Sequence, residues 1–284
     1  MNVAAASGFA VVAFVALVFA FMLLEVWPLA RVMNPWGFVA GPKWYPVSEP
    51  PTFGILPFIM GSAWISLTAL LLSFPVGLGG AIYLAHIARG HVKVVARACL
   101  EILAGIPSVV MGFIGLTIVA PFVQQALGLA TGLTGLTASL VLAVMVLPTI
   151  MSLGQDALES VPEDYWAASL ALGASPWQTL VRVALPAAWS GLRSAVLLAA
   201  GRLVGETMAV LMVAGGRTVV PSGIAQPMRT MTATLAAEVN NAVVGSDHYR
   251  ALFGIGVVLF LITMTLSTVA AWGSFKREGG TEHA

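Results

Sequence analysis

QDALESVPEDYWAASLALGASPWQTLVRVALPAAWSGLR, residues Gln155 to Arg193, is a polar insert between two apolar runs. Within it, Ser160-Val161-Pro162-Glu163 has the spacing of a capping box: a Ser hydroxyl accepts from the third amide of a helix, and a Glu carboxylate reaches back. That predicts a helix starting at Ser160, with Pro162 tolerated because first-turn amides have no intrahelical acceptor. Gly173 supplies the left-handed residue that closes this helix. Ser175-Pro176-Trp177-Gln178 repeats the pattern with proline at the first helical position, predicting a second short helix that runs toward Leu185-Pro186. The expected product is helix, glycine hinge, helix on one face of a membrane, a form suited to docking a soluble partner. The plainer reading is an amphipathic surface hairpin.

The flanking runs make the chain a membrane protein. Of 284 residues, 59% are hydrophobic and 9% charged, with a mean hydropathy of +0.95, whereas soluble domains carry about a quarter charged residues. A helix needs about 20 apolar residues to cross the hydrocarbon core. Six runs qualify, near 4–27, 60–87, 102–127, 133–153, 193–214 and 251–272. All are expected to be helical, because a helix satisfies its own backbone groups in lipid and these runs lack the alternation of a membrane barrel. The first run lacks a basic leader and a small-residue cleavage site, and reads as a retained span. One all-α, multi-pass transmembrane domain over 1–284 follows, with a loop at 155–192. An even span count puts both termini on one side. The basic connection Arg89, Lys93, Arg97 and the tail Lys276-Arg277 assign that side to the cytoplasm.

The composition also excludes function classes. Net charge is +1, which implies no nucleic-acid partner. Cys99 is alone, so no internal disulfide forms, and His86, His91, His248 and His283 show no zinc spacing. No phosphate-cradling loop and no nucleophile with a nearby base is present, so energy for any transport must come from elsewhere.

Residues 28–58 hold seven prolines with Trp27, Trp36, Trp44 and Tyr45. That predicts an extended, interface-hugging segment whose aromatics sit at the headgroup level. A second outward segment, 215–250, carries Arg217, Arg229, Glu238, Asp247 and Arg250, which read either as solvated charge or as an electrostatic funnel for an anion.

The fifth run contains Gly201-Arg202-Leu203-Val204-Gly205-Glu206-Thr207-Met208. A charge near the bilayer middle costs about 2.5–3.5 kcal/mol on insertion scales and usually faces a partner or a water-filled cavity. Arg202 and Glu206 are i and i+4, so on one helix they share a face and can pair. Gly201 and Gly205 share a face too and allow another helix to pack closely. Two readings stand: a neutralised pair holding a helix interface, or an anion path. In the second, the planar Arg202 fork binds an oxyanion, Glu206 orients it and favours release, and Thr207 adds a hydroxyl. In Ile106-Pro107-Ser108, proline frees a carbonyl to which Ser108 can bond, giving a kink that serves either as a gate or as packing.

The polar insert resembles the cytoplasmic EAA loop of bacterial ABC importer permeases, in which Glu-Ala-Ala is followed by Gly and then by an apolar residue and Leu-Pro. Ala168, Gly173, Leu185 and Pro186 match that pattern, while Ala167, Ser169 and Val183 replace its glutamate, second alanine and isoleucine. The resemblance implies a cytoplasmic coupling helix that inserts into a groove of an ATPase, with Glu163, Ala167, Ala168, Ser169, Gly173, Ala174, Leu185 and Pro186 as the coupling residues. Along nearly the whole chain, Phe53-Gly54-Ile55-Leu56-Pro57-Phe58, Ala104 to Val110, Leu147-Pro148-Thr149-Ile150, Gly201 to Val210 and Ala251-Leu252-Phe253 resemble the PstC-type permeases of phosphate ABC importers. That implies a MetI-like, type I permease fold and a transport subunit without enzymatic activity. Its expected path residues are Arg202, Glu206, Thr207 and Ser108. The implied partners are a PstA-like second permease, a homodimeric PstB-like ATPase holding ATP and magnesium, and an extracytoplasmic PstS-like phosphate-binding protein. This chain itself binds no cofactor and sits among lipids of the bacterial inner membrane. Other oxyanions (sulfate, molybdate, phosphonate) and an ion-coupled transporter or channel are the rival readings.

Overall fold

The computed structural model describes residues 2–278; His283 lies outside them, as do the side chains of Lys276 and Arg277. The chain enters through α1, Asn2–Val32, which passes Pro28 without stopping. It continues through α2, Pro35–Ala40, and a two-stranded antiparallel ribbon, β1 Trp44–Tyr45 with β2 Thr52–Phe53, in which Trp44 faces Phe53. The proline-rich segment is therefore folded rather than extended. Apart from Pro28 inside α1, its prolines stand in first turns and loops, as at Pro35, whose helix is capped by the Asn34 side chain on the Trp36 amide at 3.0 Å.

The bundle follows. α3, Leu56–Ile82, ends in a π-helical turn, Tyr83–Ile87. α4, Gly90–Gly105, has no buried residue. α5, Ser108–Ile114, runs through a π turn, Gly115–Val119, into α6, Ala120–Leu127. α7, Gly135–Glu159, is followed by α8, Glu163–Ala171. α9, Pro176–Thr179, continues through a π turn, Leu180–Ala184, into α10, Leu185–Gly205. α11, Met208–Val213, α12, Met231–Glu238, and α13, Asp247–Glu278, complete the chain.

Among the described residues, six stretches are long and apolar enough to cross a membrane: Ala6–Leu29, Leu56–Ile87, Ser108–Leu127, Gly135–Glu159, Pro176–Gly205 and Asp247–Ala270. Two of the expected boundaries are corrected. The third span begins at Ser108, because the chain breaks at Ile106-Pro107 and α4 is a separate helix. The fifth begins at Pro176 and ends at Gly205, so the helix expected to stop near Leu185-Pro186 instead runs on. Pro186 sits in the first turn after the π turn, where a missing amide costs nothing.

α7 is the most buried span, packed along α3 and flanked by α10, while α13 packs against α10 and α1. Apolar contact falls into three clusters. One joins α3, α7, α10 and α11 through Ile65, Leu142, Val146, Leu203 and Val210. A second gathers Leu29, Trp44, Phe53, Phe58, Met231 and Leu252. The third holds Ala81, Leu158, Val161, Ala188 and Leu192. The Ala6–Leu29 span is largely uncovered within the chain apart from Leu29 at its end, as expected of a helix facing lipid or a partner. Close approach is built into α3: a Cβ on Gly61 would overlap the Arg229 carbonyl, so the 228–231 segment lies directly on the helix backbone.

Candidate functional site

At one end of the bundle the polar insert forms a hairpin, capped once rather than twice. Ser175 and Gln178 make the reciprocal box: the Gln178 amide donates to Ser175 Oγ at 3.3 Å and the Ser175 amide to Gln178 Oε1 at 2.8 Å. Ser160 does not. It terminates α7 with helical backbone angles, and its hydroxyl donates back to the Ala157 carbonyl at 2.8 Å. An N-cap needs an extended residue, and Leu158 and Val161, packed with Ala81 and Leu192, carry α7 past the place where a new helix could start. α8 begins at Glu163 behind Pro162, with Glu163 and Asp164 in its first turn opposite the helix dipole.

Gly173 closes α8 at φ +84°. Its amide donates to Leu170 O and the Ala174 amide to Ser169 O, at 3.0 and 3.2 Å, which is a Schellman ending. Ser169 and Thr179 share a hydroxyl hydrogen bond of 2.9 Å that fixes α8 against the start of the next helix. Ala167, Ala168 and Ala171 are exposed, as is Leu172 at 90%, and α8 buries no residue. Behind it, Trp166 lies 4.6 Å from the His86 ring. Lys93 Nζ and Gln155 Nε2 both donate to Glu159 Oε1, at 2.8 and 2.7 Å, tying α4 to α7. α8 is thus a small-residue helix held from behind and open in front. Leu185 and Pro186 open α10, which joins the hairpin to the membrane.

At the far end of α10 the expected pair is not formed. The helix stops at Gly205, and Glu206 is extended at φ −68°, ψ 130°. The i to i+4 register is lost there, and Arg202 and Glu206 form no ion pair. Glu206 Oε1 instead accepts from the Thr207 and Ala209 amides, at 3.1 and 3.3 Å, and caps the start of α11. Thr232 Oγ1 donates to the Glu206 carbonyl at 2.8 Å, fastening the break to α12. Arg202 is exposed, and its Nη1 donates to Thr149 Oγ1 at 2.7 Å. Nor do Gly201 and Gly205 pack another helix: a Cβ on either would meet nothing within 4 Å.

Thr207 and Gly205 line a mostly apolar cleft of about 690 Å³ between α1, α12 and α13. Thr149 lines a different, more polar one of about 520 Å³, with Arg97, Glu101, Ser152, Gln155 and Asp156. Ser108 is half-buried at the start of α5 and makes no hydrogen bond to a freed carbonyl, because the chain there is broken rather than kinked. α5 packs on α11 through Gly112, against Ala209 and Met212. The structure thus joins Arg202 to Thr149 and Glu206 to Thr207, without bringing the four expected path residues into one contact set.

In the 215–250 segment, whose charges read from sequence as solvated or as a funnel, the structure forms a half-buried network instead. Glu238 accepts from Arg229 Nη1 at 2.6 Å and from Trp44 Nε1 at 3.0 Å, and faces His248 Nε2 at 2.9 Å. The Arg229, Glu238 and His248 side chains are under one-fifth exposed, so these are not solvated charges. Asp247 and Arg250, by contrast, form a pair of 3.3 Å at the surface.

Comparison with known proteins gives the same architecture. The family model described as "Binding-protein-dependent transport system inner membrane component" matches residues 77–273. A probable ABC transporter permease protein of Bacillus subtilis, YqgH, is 37% identical over 250 residues, covering 88% of this chain and 81% of the relative. The phosphate transport system permease protein PstC of Mesorhizobium japonicum is 32% identical over 254 residues, 83% of this chain and 77% of the relative. PstC 1 of Mycobacterium tuberculosis is 35% identical, covering 81% and 74%. Among solved structures, an inward-facing MetNI methionine ABC transporter aligns at TM-score 0.60 with 20% identity, over 80% of this chain and 99% of that one. A bacterial alginate ABC transporter aligns at TM-score 0.57 with 12% identity, over 92% and 91%.

Proposed function

The chain belongs to the binding-protein-dependent transport system inner membrane component family, in its PstC type, and from that premise we propose that it carries inorganic phosphate into the cell. It is a multi-pass inner-membrane permease subunit of an ABC importer, a transport subunit rather than an enzyme. Its two termini face the cytoplasm, and with a PstA-like subunit it encloses the path. α8 enters a groove of a PstB-like ATPase dimer that holds ATP and magnesium, and a PstS-like protein delivers phosphate from outside. The small, exposed face of Ala167, Ala168 and Ala171 suits close backbone approach by that partner, with Glu163, Ser169, Gly173, Ala174, Leu185 and Pro186 shaping the hairpin.

The observation that carries the substrate class is Arg202. It is a permanent cation in a span, with no carboxylate in ion-pair range among the described residues, in a chain whose relatives are named for phosphate transport. A planar fork of that kind matches a phosphate oxyanion bidentately. The 30-residue stretch Pro176–Gly205 is continuous helix about 45 Å long, with one π turn at Leu180–Ala184, and it connects the hairpin that carries α8 to Arg202. That continuity gives ATP-driven closure a mechanical route to the path.

The test is reconstitution with both permeases, the ATPase and the binding protein in vesicles. Uptake of labelled phosphate should require ATP and should be blocked by unlabelled phosphate. Blockage by sulfate but not phosphate would reassign the cargo to another oxyanion. Uptake without nucleotide would remove the importer mechanism altogether.

A further inference from the structure

We propose that Thr149 is a positioning residue for the transported oxyanion, holding Arg202 at the edge of the polar cleft and donating its own hydroxyl proton to the anion. The inference rests on the reading of Arg202 as the anion's contact, and it adds a residue from a different helix.

The geometry starts from the 2.7 Å bond between Arg202 Nη1 and Thr149 Oγ1, which joins the last turn of α10 to the middle of α7 across 53 residues of sequence. In a helix, a threonine hydroxyl ordinarily bonds back to the carbonyl one turn earlier, as Thr117, Thr234, Thr265 and Thr268 do here. Thr149 does not. Its oxygen accepts from Arg202, and its O–H has no acceptor among the described residues. The guanidinium has five N–H donors, of which this bond takes one. Arg202 and Thr149 together therefore present one full positive charge, four guanidinium N–H donors and a hydroxyl donor against a single remaining hydroxyl lone pair, and their natural complement is an acceptor-rich anion.

Glu206 strengthens the case by its absence from this contact. Its carboxylate is engaged by the Thr207 and Ala209 amides, so it forms no ion pair with Arg202, and no other carboxylate among the described residues does so. Thr149 also lines the cleft shared with Arg97, Ser152 and Asp156. Residues 149, 152 and 156 recur at helical spacing and lie on one side of α7. Thr149 thus stands where the Arg202 site and that cleft meet, and an anion leaving the fork passes its hydroxyl.

The experiment measures phosphate uptake by the complete reconstituted importer, with ATPase copurification scored in parallel, for Thr149→Val, Thr149→Ala, Thr149→Ser and Arg202→Ala. The valine and alanine variants should each raise KM for uptake about tenfold, the size expected for one charge-assisted hydrogen bond, with the ATPase still bound. The serine variant, which keeps the hydroxyl, should stay within about twofold of the parent. A parental KM in both the valine and alanine variants overturns the proposal. So does an equal defect in the serine variant, since the lost methyl and not the hydroxyl would be responsible, and so does failure of both hydroxyl-free variants to assemble. Normal uptake by Arg202→Ala would instead remove the underlying reading of Arg202. Loss of uptake there with an unchanged Thr149→Val would sink this inference alone.

Discussion

The Trp44 indole N–H donates to Glu238 Oε2 at 3.0 Å across 194 residues of sequence, and this bond ties the β1–β2 ribbon to α12. Trp44 is only 2% exposed and packs edge-on to Phe53 and Phe58. Glu238 also receives Arg229 and faces His248. One carboxylate therefore holds together the β1–β2 ribbon, the 228–231 segment, α12 and the start of α13.

Removing that carboxylate should loosen all four elements at once. Glu238→Ala leaves the Arg229 charge and the buried Trp44 N–H without their acceptor and removes the partner of His248, a loss of about 2–3 kcal/mol. Trp44→Phe keeps the ring packing and loses one bond, about 1 kcal/mol. Thermal unfolding of the detergent-purified complex should rank parent, Trp44→Phe, Glu238→Ala in descending stability. Equal midpoints for all three would show that the network adds nothing.

Arg202→Ala should abolish phosphate uptake while leaving complex assembly and ATP hydrolysis largely intact. The side chain is exposed, and its one side-chain bond among the described residues is to Thr149, so truncation costs little packing and removes the charge from the proposed path. Because the side chain supports nothing else, the readout is clean: uptake kinetics unchanged from the parent would exclude Arg202 from the route.

Much of this architecture was legible in the chain, and the failures share a cause. Six apolar runs gave six spans because length and hydropathy are local properties. Ser175 and Ser160 carry the same box pattern, yet only Ser175 uses it. α7 packs Leu158 against its neighbours and runs through Glu159, a tertiary preference that outweighs one cap. The i to i+4 spacing of Arg202 and Glu206 held a meaning only if the helix continued, and it ends at Gly205. Arg229 and Glu238 were visible as charges in the 215–250 segment, but nothing local tied Glu238 to Trp44, which lies almost two hundred residues away. Nor did Thr149, a single hydroxyl in an apolar run, announce a partnership with an arginine on another helix.

Where α3 and α7 run side by side, a methyl group has no room. A Cβ on Gly77 would lie 2.6 Å from Ile150 Cγ2, against a branched side chain that is itself buried at 2% exposure. Gly77→Ala should gain about 1 kcal/mol in helix propensity and lose about 1–3 kcal/mol to overpacking. The net prediction is destabilisation, read as a lower unfolding midpoint, and Ile150→Val should restore part of it in the double variant. A midpoint raised by Gly77→Ala alone would mean that the interface has slack.

Gly173 offers the sharpest mechanical test. Its φ of +84° is accessible to glycine at no cost but strains any residue with a Cβ, by about 1–2 kcal/mol. A β-branched residue is the worst case. No neighbouring atom lies within 4 Å of where that Cβ would stand, so Gly173→Val acts through the backbone rather than through a clash. The strain falls on the Schellman ending, whose two bonds set the angle between α8 and the rod that begins at Pro176. A misdirected α8 should weaken copurification of the ATPase or, where the complex persists, lower phosphate moved per ATP hydrolysed. Gly173→Asn, which tolerates the left-handed region far better, should recover most of that coupling. If Val and Asn behave alike, and like the parent, the turn does not transmit force, and the hairpin's role shrinks to passive attachment.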